Sequence, residues 1–570
     1  MSEQNPDSND QHSQPQGGYD EQFLDVAEHT LERGPGAPVR MKHPRGLWAL
    51  FITEMWERFS FYGMRALLVL FLYTTTAEML ADGAVNDNPG FGWTKADAYT
   101  LYGVYTFMVY LGSIFGGIAA DRMLGTHRSM LIGGWIVALG HVTLALSALF
   151  PYEAGEPVMM NTGPGALITF LLGLAFIIIG TGFFKPCVSV MVGQLYEEND
   201  PRRDSGFTIF YMGINVGAFF APLVAGTLGE KVGWHWGFGC AAVGMLLGLF
   251  FYQFVRPRLL QGIGLPPKES DEHRSVRTFL GVVAALIAIP IVPMILFIAG
   301  GLGPIVSVWD AAYGALGIYG MSAAIMAVLL AVILSFVFAQ PKHERAPLGV
   351  ILILAFFGNI FFWTAFEQAG SSMNIFALEK TNRTLWGLFG EDGFPATWYQ
   401  SVNPLAILVF APVFAWLWVW LEKRKLNPST PLKFSLGLWL LGLAFMAMVF
   451  GALEARGGGL AGPHWLLISY IVVTWGELCL SPVGLSMVTK LAPKRLQSQM
   501  MGFWFFTFAL ANLFAGLVAR FSTRVEKGEI TFAIEGLPGF FLMLVVFPIA
   551  MGVLIAILTP LLKKMMHGVK

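Results

Sequence analysis

The sequence predicts an all-α polytopic membrane protein of fourteen transmembrane helices, arranged as two six-helix bundles with two additional helices between them. Three observations carry this prediction. Of 570 residues, 55% are hydrophobic and 13% charged, with a mean hydropathy of +0.60, whereas soluble domains carry roughly 25% charged residues. Apolar runs that reach the ~20 residues needed to cross hydrocarbon recur along the chain. Lys and Arg clusters follow every second run, the pattern of loops held on one side of a membrane. The formal net charge of -1 says little, because opposing signs are segregated along the chain; the hydropathy makes the lipid bilayer the expected partner, and nucleic acid is not a plausible one.

The first six runs fall near 47–73, 98–120, 129–150, 165–193, 206–229 and 237–255. A polar stretch rich in Arg, Lys and Pro follows, then two runs near 278–301 and 311–339, the first holding Pro290 and Pro293 as expected kink points. The second six lie near 347–378, 401–421, 433–453, 464–490, 498–520 and 540–562. Domain boundaries are therefore expected at a polar tail 1–45, a first bundle 46–256, a linker with two extra helices 257–345, and a second bundle 346–570. The basic groups are Arg40/Lys42/Arg45, Arg122/Arg128, Arg202/Arg203, Arg256/Arg258, Lys342/Arg345, Lys423/Arg424/Lys425, Lys494/Arg495 and Lys563/Lys564. They place these loops and both termini in the cytoplasm. The opposite loops, such as 78–97 and 391–398, are acidic, aromatic and Gly-rich. Residues 1–40 hold no apolar core of a signal peptide and read as a disordered tail.

Cys187, Cys240 and Cys479 lie in apolar stretches without metal-ligand spacing and read as buried small residues. No metal cluster, phosphate loop or nucleophile–base set is apparent, so neither an enzyme nor a cofactor is expected. His141 reads as a hydrogen-bonded core histidine and Asp310 as the cap of the second extra helix.

The first run departs from the apolar rule. Glu54, Glu57, Arg58 and Arg65 interrupt it, and each charge at mid-bilayer costs about 2.5–3.5 kcal/mol unless it pairs or meets water. At ~100° per residue, Glu54, Arg58, Tyr62 and Arg65 share one face with Glu57 at its margin, while Leu67, Leu68 and Leu70 face elsewhere. That face is expected to line a polar cavity.

After the second run comes Gly116-Gly117-Ile118-Ala119-Ala120-Asp121-Arg122-Met123-Leu124-Gly125, small residues that allow close helix approach followed by a charged pair at a helix end. It resembles the loop motif of the major facilitator superfamily, in which Asp121 and Arg122 would belong to a cytoplasmic gate. Set beside it, Glu54-Met55-Trp56-Glu57-Arg58-Phe59-Ser60-Phe61-Tyr62-Gly63 resembles the ExxERFxYYG motif of the proton-dependent oligopeptide transporter family. Phe207 to Ala218, Gly180-Thr181-Gly182-Phe183-Phe184-Lys185-Pro186, Phe362-Trp363 through Glu367-Gln368, and Gly476-Glu477 through Gly484 resemble further segments of that family. The resemblance spans about residues 45 to 520, and the extra helix pair is usual in its bacterial members. Phe61 replaces the first Tyr of the usual YYG, Cys187 an Asn, and Ala218 a Ser. Gly103 stands where animal members carry a functional His.

The resemblance implies the major facilitator fold and a proton-coupled symporter of di- and tripeptides, with no cofactor and the proton as coupling ion. Glu54, Glu57, Arg58, Arg65 and Glu367 would couple protons. Arg58, Tyr62, Tyr110, Lys185, Asn215, Asn403, Glu477, Ser481, Trp363 and Trp504 would bind peptide, and Lys185 with Glu477 would join Asp121 and Arg122 as gate residues. Elementary chemistry agrees: a peptide is a zwitterion, so cations at Arg58 and Lys185 suit its carboxylate and an anion at Glu477 its ammonium, with Phe61, Trp363, Phe366 and Trp504 as walls. Lys185 with Glu477, and Arg65 with Glu367, are expected to pair across the bundles. The alternatives are a carrier of nitrate or another small anion, which needs no ammonium partner, and a non-transporting peptide sensor. The oligomeric state is left open.

Overall fold

The computed structural model describes residues 42–74, 88–147, 164–197, 200, 202–266, 276–298, 303–385, 387–391 and 393–566. Residues 1–41 of the predicted tail, the first half of the acidic loop 78–97, and the side chains of Arg122, Asp310 and Lys494 lie outside them.

Between Arg45 and Leu259 run α1 (Arg45–Tyr73), α2 (Lys95–Ala119), α3 (Gly125–Ser147), α4 (Pro164–Gln194), α5 (Arg203–Ala221) and α6 (Trp234–Leu259). The extra pair is α7 (Val276–Ile298) and α8 (Gly303–Phe338). One long span, Lys342–Glu379, is divided into α9 (Lys342–Ile353), α10 (Ile360–Phe366) and α11 (Ser372–Glu379) by a π turn and a 3-10 turn. The chain ends with α12 (Val402–Lys423), α13 (Thr430–Glu454), α14 (His464–Leu491), α15 (Gln497–Glu526) and α16 (Leu537–Met565).

Among the described residues twelve helices are long and apolar enough to cross a membrane. The other two predicted spans are α1, whose four intramembrane charges dilute its apolar character, and α8, whose segment Ala323–Phe338 is apolar and which Gly317 kinks at φ 63°. α8 begins at Gly303, so Asp310 lies inside the helix and is not its cap. Pro290 and Pro293 sit within an unbroken α7.

In the first half α1 packs on α5 and α6, and α4 on α2 and α3; in the second, α13 packs on α14 and α16. α7 leans on α2 and α4, while α8 touches α9. The halves meet where α2 packs on α15 and α5 on α12. With lipid outside, close approach of small residues replaces hydrophobic drive as the source of packing. A Cβ on Gly103 would stand 2.7 Å from the Gly516 Cα. The missing side chain at Gly103 is thus a packing requirement of the α2–α15 seam, and no histidine fits there.

This seam is testable. Gly103→Ala is expected to lower the thermal midpoint of the purified protein by overpacking worth about 1–3 kcal/mol. Gly117→Ala is the control, because its Cβ would meet only Pro186 at 3.5 Å. Equal melting of both variants would remove the seam as a tight contact.

His141 is fully buried, but neither ring nitrogen has a hydrogen-bond partner among the described residues, contrary to the expected bonded state. The three cysteines are free, two of them buried.

Candidate functional site

The α1 charges form two buried groups one above the other. In the lower, Arg58 Nε donates to Glu54 Oε1 at 2.8 Å and lies 2.6 Å from Glu57 Oε2, so one guanidinium serves two carboxylates. Lys185 on α4 lies within electrostatic reach of both carboxylates and balances the charge. Its ammonium sits 3.7 Å from the centroid of the Tyr110 ring, a cation–π contact that is strongest where water is excluded.

In the upper group Arg65 Nε donates to the Tyr102 hydroxyl at 2.7 Å and Arg65 Nη2 to Glu367 Oε2. This ion pair crosses from α1 to the 3-10 turn Glu367–Gly370 and is almost fully buried. Gly370 is needed beneath it, since a Cβ there would collide with the Tyr102 hydroxyl. Gln368 supports the turn by donating to the Ala515 carbonyl at 3.0 Å and accepting from the Ser372 hydroxyl at 2.6 Å.

Between the halves lies a cavity of about 220 Å³, below the roughly 300–1,000 Å³ of sites for drug-sized ligands. Tyr62, Arg65 and Tyr110 line it from the first half together with Tyr211 and Asn215 of α5. Trp363, Phe366, Glu367, Asn403, Tyr470, Glu477, Ser481 and Phe508 line it from the second. Glu477 accepts a hydrogen bond from Asn403 Nδ2 at 3.0 Å, and the same amide donates to Thr474 Oγ1 at 2.9 Å. Trp363 is fixed by its Nε1 bond to Asn359 Oδ1 at 2.8 Å, and Asn359 donates in turn to Thr507. The cavity is thus anionic at Glu477, while the Arg58 and Lys185 cations stand behind its Tyr62 and Tyr110 wall.

The structure brings together most of the residues singled out in the sequence, with three corrections. Trp504 is 1% exposed and packs edge-on to Phe434, against Gly484, so it does not line the cavity; Phe508, four residues on, takes that place and stacks on Tyr110. Phe61 is likewise buried, edge-on to Tyr62. Lys185 and Glu477 form no ion pair: one stacks on Tyr110, the other is held by Asn403. Asp121 is exposed in a π turn at the end of α2. Sequence reasoning missed Tyr102, Tyr211, Tyr470 and Phe508; Tyr211 lay inside a motif already noted, and the others carry no local signal.

The bonds joining the halves concentrate at the end away from the basic loops. Glu230 accepts from the Ala396 and Thr397 amides at 2.8 and 2.9 Å and from the Thr397 hydroxyl at 2.6 Å. Trp398 Nε1 donates to Thr227 Oγ1 at 2.8 Å. Lys95 pairs with Glu379 at 2.7 Å and reaches Glu526 at 3.5 Å, while the Tyr73 hydroxyl also donates to Glu379. Asn374 donates to the Ala66 carbonyl at 2.9 Å. With the Arg65–Glu367 pair, these contacts latch one end of the cavity.

Comparison with known proteins supplies an independent line. The family model described as "POT family" matches residues 127–533. A peptide transporter of Yersinia enterocolitica is 40% identical over 496 residues, covering 86% of this chain and 90% of that protein. A di-/tripeptide transporter of Lactococcus lactis subsp. cremoris is 36% identical over 510 residues, covering 89% and 96%. Among solved structures, a peptide transporter POT in complex with sulfate superposes with a TM-score of 0.73 at 34% identity, covering 97% of this chain and all of that one. A POT family transporter in complex with a thioalcohol-conjugated peptide gives 0.73 at 32%, covering 92% and 98%.

Proposed function

The chain belongs to the POT family, and from that premise we propose that it is a plasma-membrane symporter that imports di- and tripeptides with protons by alternating access. Both termini and the basic loops are cytoplasmic in this reading, which makes the latched end the extracellular one. The observation that carries it is the polarity of the central cavity. A zwitterion of two or three residues meets the Glu477 carboxylate at one side and the Arg58 and Lys185 cations, screened by Tyr62 and Tyr110, at the other. Trp363, Phe366 and Phe508 give walls without directional demands, so side chains of different kinds can be accepted.

Coupling follows from which charges hold the halves. Protonation of Glu367 removes the charge that Arg65 is paired with, and protonation within the Glu54/Glu57 pair leaves Arg58 with one carboxylate. The first event weakens an attraction that joins the halves, and the second alters the charge balance around Arg58 and Lys185 within the first half. Buried pairs of this kind give little net stability, so a role in switching accounts for their retention. Lys185 and Glu477, apart here, are free to meet when the cytoplasmic end closes and the peptide has left.

The test is uptake of labelled dialanine into proteoliposomes with and without an inward proton gradient. Concentrative uptake that collapses with a protonophore and is competed by other di- and tripeptides is expected. Uptake indifferent to the gradient, or competed by nitrate, would overturn the reading. Lys185→Ala is expected to abolish gradient-driven uptake in the same assay, since the charge balance of the lower cluster and the carboxylate partner are lost together. Near-normal accumulation by that variant would remove Lys185 from the mechanism.

A further inference from the structure

A second cavity, larger than the central one, opens at the basic-loop end of the second half. It measures about 580 Å³ and lies between α12, α13, α14 and α16. Its wall is of two kinds. Phe414, Trp418 and Val483 with their neighbours make an apolar side, and Lys433, Lys490 and Lys563, from three different helices, make a cationic one. Among the described residues these three ammonium groups have no carboxylate partner; Lys433 rests 4.5 Å from the Trp418 ring centroid. Glu422 also lines the space, accepting from Asn427, so three cations face one anion.

Two further features fix the level and sign of the site. Ser429 and Thr430 line the cavity, and the 25-residue α13 starts there without a side-chain cap, so its positive dipole end lies at the space. Trp416 and Trp420 stack at 6.1 Å on the same end of α12, and the Arg424 guanidinium lies 4.0 Å over Trp420. Such an aromatic and basic girdle marks the headgroup level of a bilayer.

We propose that this cavity is a binding site for an anionic phospholipid of the cytoplasmic leaflet. The phosphate sits among Lys433, Lys490, Lys563 and the start of α13, and the acyl chain lies along Phe414, Trp418 and Val483. The combination is what selects an amphiphile over a free ion: a small anion has no use for the apolar wall, and a neutral tail has none for the lysines. Basic pockets between transmembrane helices on the cytoplasmic side are suited to acidic headgroups. The site also touches the transport path through one helix. Leu478, Pro482 and Ser486 of α14 face the lipid cavity, while Glu477 and Ser481 face the central one. An occupied site thus braces the cytoplasmic half of α14, at the turn where Pro482 removes a backbone hydrogen bond.

The test uses the full-length protein in detergent, with native mass spectrometry to count retained lipid and a thermal shift to read its effect. On the unmodified protein, phosphatidylglycerol is expected to be retained and to raise the melting temperature, whereas phosphatidylcholine of the same chains and inorganic phosphate are not. Lys433→Gln, Lys490→Gln and Lys563→Gln together are expected to weaken retention by on the order of fivefold per lysine. A matched triple at Lys423, Lys425 and Lys564, which do not line the cavity, is expected to keep most of it. Equal loss in the two triples would mean general surface attraction and overturn the site. Equal retention of phosphatidylcholine would reduce it to apolar filling, and an equal shift with phosphate would make it an ion site; both overturn the proposal. Should the cavity triple fail to fold, the headgroup comparison on the unmodified protein and the exposed pair Lys490→Gln with Lys563→Gln still decide it.

Discussion

A Glu57→Gln variant is expected to exchange peptide across the membrane but to lose its accumulation against a gradient. One proton crossing about 100 mV and about one pH unit releases roughly 3.7 kcal/mol, enough for roughly 500-fold accumulation of a neutral peptide. Glutamine preserves the shape of a side chain that is 1% exposed, and leaves Arg58 its 2.8 Å bond to Glu54. What is lost is a titrating group beside a guanidinium shared between two carboxylates. The accumulation ratio is expected to fall to about one, while counterflow of labelled against unlabelled peptide, which needs no net proton movement, continues. Parallel loss of counterflow and accumulation in a folded variant would place Glu57 in binding or folding instead.

The second large effect is at the Arg65–Glu367 pair. Removing one partner leaves a charge without its mate in a dry site, a loss of about 3–5 kcal/mol, and replacing Arg65 also removes its bond to Tyr102. Arg65→Glu and Glu367→Arg are each expected to lower thermal stability and to open the latched end. Opening is read by a membrane-impermeant thiol reagent at Met373→Cys, a cavity position now 2% exposed, in a background without the three native cysteines. Combined, the reversals restore the attraction, and a coupling of about 0.5–3 kcal/mol is expected in the double-mutant cycle. Transport is not expected to return, because the carboxylate then sits on the other half. Additive effects in both readouts would show that this pair is not the latch.

The other contacts at the latched end would not have been reached by reading the chain. Glu230 caps the Ala396–Ser401 turn from the other half, and Lys95 binds carboxylates on both α11 and α15. Each joins residues more than a hundred positions apart, and each residue is ordinary in its own neighbourhood. Trp504 shows the same limit from the other direction. An aromatic residue near a site is a plausible wall, but whether the cavity lies at the level of Trp504 or of Phe508, one turn further along the same face, is fixed by no local pattern.

The sequence by itself determined the all-helical, membrane-spanning architecture, the order of the spans and the identity of the charged residues that must face inward. It could do so because a bilayer penalises each misplaced charge and each unpaired backbone group so heavily that composition along the chain constrains topology. Only the tertiary structure decided the partners. Lys185 rests on Tyr110 and not on Glu477, Arg65 divides its donors between Tyr102 and Glu367, and the halves are latched at one end. Those choices depend on how two bundles are rotated against each other, which no local pattern along the chain specifies. The pairing of charges across the cavity is therefore a property of the conformation as well as of the chain.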